Sequence, residues 1–216
     1  MKEQIEHVVS QLEFSLTSEA GSEIESLSMP DADVTIFRAF FKPEESDRLF
    51  HDLLKQTNWR QDKIRIYGKH INLPRLTAWY GDAGKIYSYS GITMQPDSWT
   101  ESLLEIKRRV DCAARTQFNS VLLSLYRDGR DGLSWHDDDE RELGEDPTIA
   151  SVSFGETRSF QFKRKEQPKL SPISIPLTHG SLLIMKGPTQ RFWVHQVPKT
   201  SRAVGPRINL TFRVIR

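Results

Sequence analysis

The chain has 216 residues, 37% of them hydrophobic and 10% aromatic, which is enough apolar material for the core of one sizeable domain. No apolar run approaches the roughly 18 residues that a membrane span needs. A net charge of +1, from 30 basic and 29 acidic side chains, neither favours nor excludes nucleic acid, which only local clustering can indicate.

In chain order, residues 1–30 are rich in Glu and Ser and read as a mobile N-terminal extension with a short helix at Ile5–Leu12. They carry acids and no apolar signal core. An intracellular protein follows, cytoplasmic or in the nucleoid of a bacterium, nuclear in a eukaryote. Residues 31–216 then read as a single domain. It opens on a strand-like run, VTIFRAFF, and a helix, KPEESDRLFHDLLKQTNW, with Pro43 and acids in its first turn and Leu49, Leu53 and Leu54 along one face. The segment DKIRIYGKHINLPR mixes Lys63, Arg65, Lys69, His70 and Arg75 with Ile66 and Tyr67, which suits a phosphate backbone and an intercalating wedge. In IYSYSG, Tyr87 and Tyr89 fall on one face, a spacing usual for half-buried packing residues. A second helix, WTESLLEIKRRVDCAA, aligns Trp99, Leu103, Ile106 and Val110. It holds Cys112, the only cysteine, which excludes an intramolecular disulfide and reads as a buried or half-buried thiol.

From Val121 the period changes. VLLSLY, TIASVSF, RSFQFK, ISIPL, SLLIM, WVHQV and RINLTFRVI are short runs rich in β-branched and aromatic residues, separated by turn signals such as DGRDG and FGET. Strands at this close spacing, in the second half only, predict a mainly β, α+β protein, an antiparallel sandwich or barrel with helices packed outside.

Two patterns in this half carry chemistry. In LSWHDDDEREL, His136 and Asp138 are i and i+2, so on an extended segment they share a face. Four adjacent acids repel one another unless something positive lies near. A solvated acidic loop is the ordinary reading of such a run, and a metal site the sharper one. His195, held in a strand among bulky neighbours, is preferred as third ligand over His179, which sits at a turn. Two histidines and a carboxylate suit non-haem Fe(II) oxygenases, and the same set also binds zinc in hydrolases. The second pattern is RINLTFRVI. Ile208, Leu210, Phe212 and Val214 form one face, and Arg207, Asn209, Thr211 and Arg213 the other. Such a polar face is most often exposed, yet it also suits the inner mouth of a barrel that holds a small dianion. Arg207 and Arg213 lie about 20 Å apart along a strand. Arginine's planar fork matches a carboxylate, and a dicarboxylate that also chelates iron fits both patterns.

Together, YGDAGKIYSYSG, LYRDGRDGLSWHDDDEREL, IASVSFGETRSFQFK, LTHGSLLIM and PRINLTFR resemble the AlkB family of Fe(II)/2-oxoglutarate dioxygenases, in the branch containing human AlkB homologue two. The likeness covers roughly Leu73 to Arg216. It implies a double-stranded β-helix, a jelly-roll barrel over about 118–216, with flanking helices and an N-terminal nucleotide-recognition lid over about 60–95. It implies Fe(II) held by the catalytic set His136, Asp138 and His195, with 2-oxoglutarate and O2 as cosubstrates. Tyr126, Arg207, Asn209, Thr211 and Arg213 match residues that hold 2-oxoglutarate. Ser124 stands where the family commonly has asparagine, and so joins that set with a shorter side chain. For the substrate base the likeness implies Tyr87, Tyr89 and Ser90 as wall, with Asp139 and Glu140 on the substrate side, Glu140 selecting a cationic lesion, and Arg141 paired to the surplus acid. Ile66, Tyr67, Gly68 and Arg75 match a hairpin finger that contacts DNA. Outside the likeness, Lys163, Arg164 and Lys165 in FKRKEQPK read equally as a second backbone contact or as a solvated turn. The implied function is DNA repair by a monomer, through oxidative demethylation of 1-methyladenine, 3-methylcytosine and related lesions in alkylated, duplex DNA, with release of formaldehyde. The alternatives are the same chemistry on RNA or protein and a non-catalytic reader of damaged nucleic acid.

Overall fold

A computed structural model describes residues 24–66, 69–85, 87–89, 92–167 and 169–216. The helix anticipated at Ile5–Leu12 lies outside them. Strands β1 (Ile24–Ser26) and β2 (Asp33–Phe37) lead into helix α1 (Pro43–Gln56). Two short ribbons follow, β3 (Lys63–Ile66) with β4 (Lys69–Asn72), and β6 (Tyr87–Tyr89) with β7 (Ile92–Met94), on either side of β5 (Leu76–Gly81). Helix α2 (Glu101–Ala114) then precedes eight strands: β8 (Ser120–Tyr126), β9 (Leu133–His136), β10 (Ile149–Gly155), β11 (Arg158–Arg164), β12 (Ile173–Leu177), β13 (Ser181–Lys186), β14 (Trp193–Val197) and β15 (Arg207–Arg213). A one-turn helix, α3 (Thr189–Phe192), joins β13 to β14.

The eight strands divide four and four between two antiparallel sheets, and the chain changes sheet at every step except from β11 to β12. One has the order β1-β2-β13-β10-β15-β8-β5, the other β12-β11-β14-β9. This is the jelly-roll expected. Strand periodicity alone does not separate β5, whose LTAWYG run pairs with β8 at the edge of the larger sheet.

The larger sheet is covered on both faces, and this fixes the direction of every functional side chain. Its outer face carries Val121, Leu123, Val152, Phe154, Leu182, Ile184, Ile208, Leu210 and Phe212, packed with Leu49 and Leu53 of α1 and Leu103, Ile106 and Val110 of α2. The helix stripes anticipated from the sequence are therefore what buries that face. Its inner face meets the smaller sheet through a second core that includes Leu122, Leu183, Met185, Phe160, Phe162 and Trp193. Because Ile208, Leu210 and Phe212 point to the helices, Arg207, Asn209, Thr211 and Arg213 point between the sheets.

Cys112 departs from expectation: its thiol is exposed. It lies two residues from Val110 and two from Ala114, both buried. Two residues turn a helix by about 200°, so Cys112 faces solvent.

Candidate active site

Between the sheets lies a cleft lined by His136, Asp138, His195, Asn209, Thr211 and Arg213 among others. His136 ends β9 opposite His195 of β14, and their rings lie 4.3 Å apart. Asp138, two residues past the strand, is 2% exposed. Its Oδ2 lies 3.6 Å from His195 Nε2, and its Oδ1 accepts from Arg213, with the Nε donor at 3.1 Å. His179, the less favoured ligand, is elsewhere: its Nδ1 accepts from the Gly155 amide at 2.7 Å.

Among the described residues no group of three His, Cys, Asp or Glu side chains already has the geometry of a metal site. The donor chemistry of His136, Asp138 and His195 nevertheless fits a divalent ion. Burial depresses the pKa of both rings, that of His195 to about 3, so both are neutral and able to donate a lone pair. Burial raises the Asp138 pKa, but Arg213 and the two histidines outweigh it and hold the carboxyl at about 2, ionised. His136 Nδ1 lies 2.9 Å from the Ser134 carbonyl. A carbonyl only accepts, so Nδ1 carries the proton and Nε2 is left as the ligating atom, the usual orientation of a metal-binding histidine.

The polar row of β15 extends from this triad. Arg207 is fully buried, and burial lowers its pKa to about 10. Its Nη2 donates to Ser153 Oγ and Asn209 Oδ1, each at 2.9 Å, and its guanidinium lies 5.1 Å from the centre of the Tyr126 ring. Its Nε and Nη1 are buried with no hydrogen-bond partner among the described residues. A buried cation with two unpaired donors fits a carboxylate of a small ligand. Asn209 accepts from Ser151 Oγ at 3.1 Å and donates to Thr211 Oγ1 at 3.0 Å. Ser124 and Tyr126 stand opposite Asn209 and Arg207 on β8, and both line the cleft. Arg207 and Arg213 thus bracket the polar row, with Asn209 and Thr211 between them.

Other residues fall differently. Arg75, expected on the DNA-contacting finger, is 2% exposed and lines the cleft with His136. It lies past β4, where the chain turns inward to start β5, so it belongs to the cleft and not to the ribbon. The acidic run is met by Lys165, which pairs with Asp137, rather than by Arg141, which starts a 3-10 turn. Lys163 lies 5.8 Å from the Trp135 ring centre, and Arg164 pairs with Asp31, so all three cations expected at a second backbone contact have partners within the chain. Asp139 is exposed and Glu140 half-buried. Partial burial and the Asp137 carboxylate raise the Asp139 pKa. Tyr87 and Tyr89 occupy alternate positions of β6, and Ile66 ends β3 opposite Lys69. Tyr67, Gly68 and Ser90 lie outside the described residues.

Sequence reasoning missed Phe160, which stacks on His195 at 5.2 Å with an interplanar angle of 22°, and Ser151 and Ser153 of β10. The serines had a signal: they alternate with Val152 and Phe154, small polar groups on the inner face of a buried strand. Phe160 had none, because aromatic residues recur throughout the strand-rich half.

Comparison with known proteins agrees with this geometry. The family model described as the 2OG-Fe(II) oxygenase superfamily matches residues 33–213. Alpha-ketoglutarate-dependent dioxygenase alkB homolog 3 of Mus musculus is 41% identical over 190 residues, 84% of this chain and 66% of that protein. DNA oxidative demethylase ALKBH2 of Homo sapiens is 39% identical over 188 residues, 83% of this chain and 72% of that protein. The chain therefore spans about two thirds of the length of these relatives. The solved structure of OsALKBH1 superposes with a TM-score of 0.66 at 17% identity, over 88% of this chain and 99% of that one, a likeness of fold.

Proposed function

The chain belongs to the AlkB group of the 2OG-Fe(II) oxygenase superfamily, and from that premise we propose that it repairs alkylated DNA by oxidative demethylation. The observation that carries this reading is the convergence in one cleft of two neutral histidines, an ionised aspartate and the polar row of β15, with the buried Arg207 at the end of that row against the cleft-lining Tyr126. The names of the relatives, a DNA oxidative demethylase among them, supply the substrate class.

His136, Asp138 and His195 would hold Fe(II), and Arg207 with Tyr126 would hold the far carboxylate of 2-oxoglutarate. When bound, iron, 2-oxoglutarate and O2 supply the oxidising power that hydroxylates the N-methyl carbon. The hydroxymethyl base then loses formaldehyde. Asn209 and Thr211, hydrogen-bonded to each other, would help to orient the dicarboxylate along β15. Arg213 holds Asp138 in one orientation through two donors, which leaves the second carboxylate oxygen facing His195. Phe160 keeps the His195 ring in place and water from its face.

Duplex DNA is the substrate form that the β3–β4 ribbon supports. Among the described residues its strands pair only with each other, and its segment carries Lys63, Arg65 and Lys69, a composition suited to phosphate. Chemistry on a base edge requires the base to leave the stack, and Tyr67, between the two strands in the sequence, would fill the gap. Tyr87 and Tyr89 would form the wall against the extruded base, and Glu140 would favour a cationic lesion. The test is incubation of oligonucleotides bearing 1-methyladenine or 3-methylcytosine with the protein, Fe(II), ascorbate and 2-oxoglutarate. Mass spectrometry is expected to show restored bases and formaldehyde. Unchanged lesions in DNA, with turnover on methylated RNA, would move the substrate to RNA.

A further inference from the structure

We propose that Gln190 is a positioning residue that fixes the backbone of Asp138, and through it the metal-binding carboxylate. The inference rests on the reading of Asp138 as an iron ligand. The β9–β14 ladder stops at the His136–His195 pair. Beyond that point the Asp138 amide is buried and has no strand opposite it. Its acceptor is a side chain from elsewhere in the chain, Gln190 Oε1 at 3.1 Å. The orientation of the Gln190 amide follows from chemistry, since the Asp138 N–H can only donate and must face the oxygen. The other end of the amide, Nε2, reaches only Met185 Sδ at 3.5 Å, a weak acceptor. Gln190 is 1% exposed. A buried amide with one good hydrogen bond, directed at the backbone of the candidate carboxylate ligand, is a costly group to keep for packing alone.

Gln190 is also well placed to serve as a fixed reference. It sits in α3, which is anchored on both sides. Thr189 Oγ1 accepts from the Asp33 amide at 2.9 Å, and the Lys165 amide donates to the Phe192 carbonyl at 2.9 Å. Strand β14, which carries His195, begins at the next residue after α3. One short turn thus sets the position of His195 through the chain and of Asp138 through the Gln190 amide. Loss of the hydrogen bond would let the segment after His136 drift away from His195.

Mn(II), which binds without turnover, is the probe, titrated by calorimetry into the full chain. Asp138→Ala is expected to abolish binding. Gln190→Met, similar in volume but without an acceptor oxygen, is expected to weaken Mn(II) binding about 10–100-fold, the usual effect of losing a partner behind a metal ligand. It is also expected to speed hydrogen exchange at the Asp138 amide while amides of β11 stay protected. Gln190→Glu keeps an oxygen at the same reach and is expected to restore the protection and most of the affinity. If Gln190→Met binds Mn(II) as the wild type does while Asp138→Ala binds none, the positioning role is overturned and the ligand assignment stands. If Asp138→Ala binds like the wild type, both fall. Should Gln190→Met not fold, Gln190→Asn decides: weakened Mn(II) binding supports the role and wild-type binding overturns it.

Discussion

His195 shows how a single side chain joins stability to chemistry. It is 4% exposed and its pKa is pushed down to about 3 by burial. A depressed histidine stays neutral in the folded state while the unfolded chain takes up a proton near pH 6.5. Stability of the metal-free protein is therefore complete above that pH and falls as pH drops from about 6.5 toward 3, with His136 adding in the same direction. Thermal melts across that range are expected to show this slope, and His195→Phe to flatten it; an unchanged slope would place the titration elsewhere. Replacing His136, Asp138 or His195 with Ala is expected to abolish turnover and leave the fold, because both apolar cores are built from other side chains. Full activity in His195→Ala would sink the ligand set. Arg207→Ala is expected to weaken 2-oxoglutarate binding by about 1.5–3 kcal/mol, the loss of a charge-assisted hydrogen bond. Calorimetry that finds wild-type affinity would separate Arg207 from the cosubstrate. Most of these residues were legible as patterns: His-x-Asp on one face of an extended segment, and a polar row at period two. Arg75 was not, because its burial depends on how the chain turns after β4. Cys112 was legible in principle, since its distance from Val110 puts it on the outer face of α2.

The strands and helices explain why the pattern in β15 has the meaning it has. An alternating strand states that two faces differ, and not which one meets solvent. Here α1 and α2 cover the apolar face, so the polar row turns inward and becomes a site. The apolar stripes of both helices were visible in the sequence but their partner was not, because it is set by pairings distant in the chain, such as β15 with β8 and β10. The proposed role of the ribbons before the barrel in the form of the substrate can be tested directly. Tyr67→Ala is expected to reduce repair of duplex DNA far more than repair of a single strand, since only a duplex needs its gap filled. Equal losses on both would assign Tyr67 to packing, and poor wild-type activity on duplex would assign the enzyme to single strands.

Across the whole molecule, two packed sheets hold the cleft between them, and the proposed function needs three parties to meet there: metal, dicarboxylate and an extruded base. On that proposal the sandwich would supply the first two sites from strands packed on both faces, where precise placement is easiest to maintain, and the third would come from the ribbons and the loop after Asp138, outside the ladder. The proposed function requires that oxidation of 2-oxoglutarate be coupled to removal of the alkyl group from DNA. The direct measurement follows succinate and restored base together, with 3-methylcytosine duplex, Fe(II) and limiting 2-oxoglutarate. Equal amounts of succinate and cytosine, both lost in Asp138→Ala, are predicted. Succinate formed at the same rate with or without the alkylated DNA, and no cytosine restored, would contradict the account.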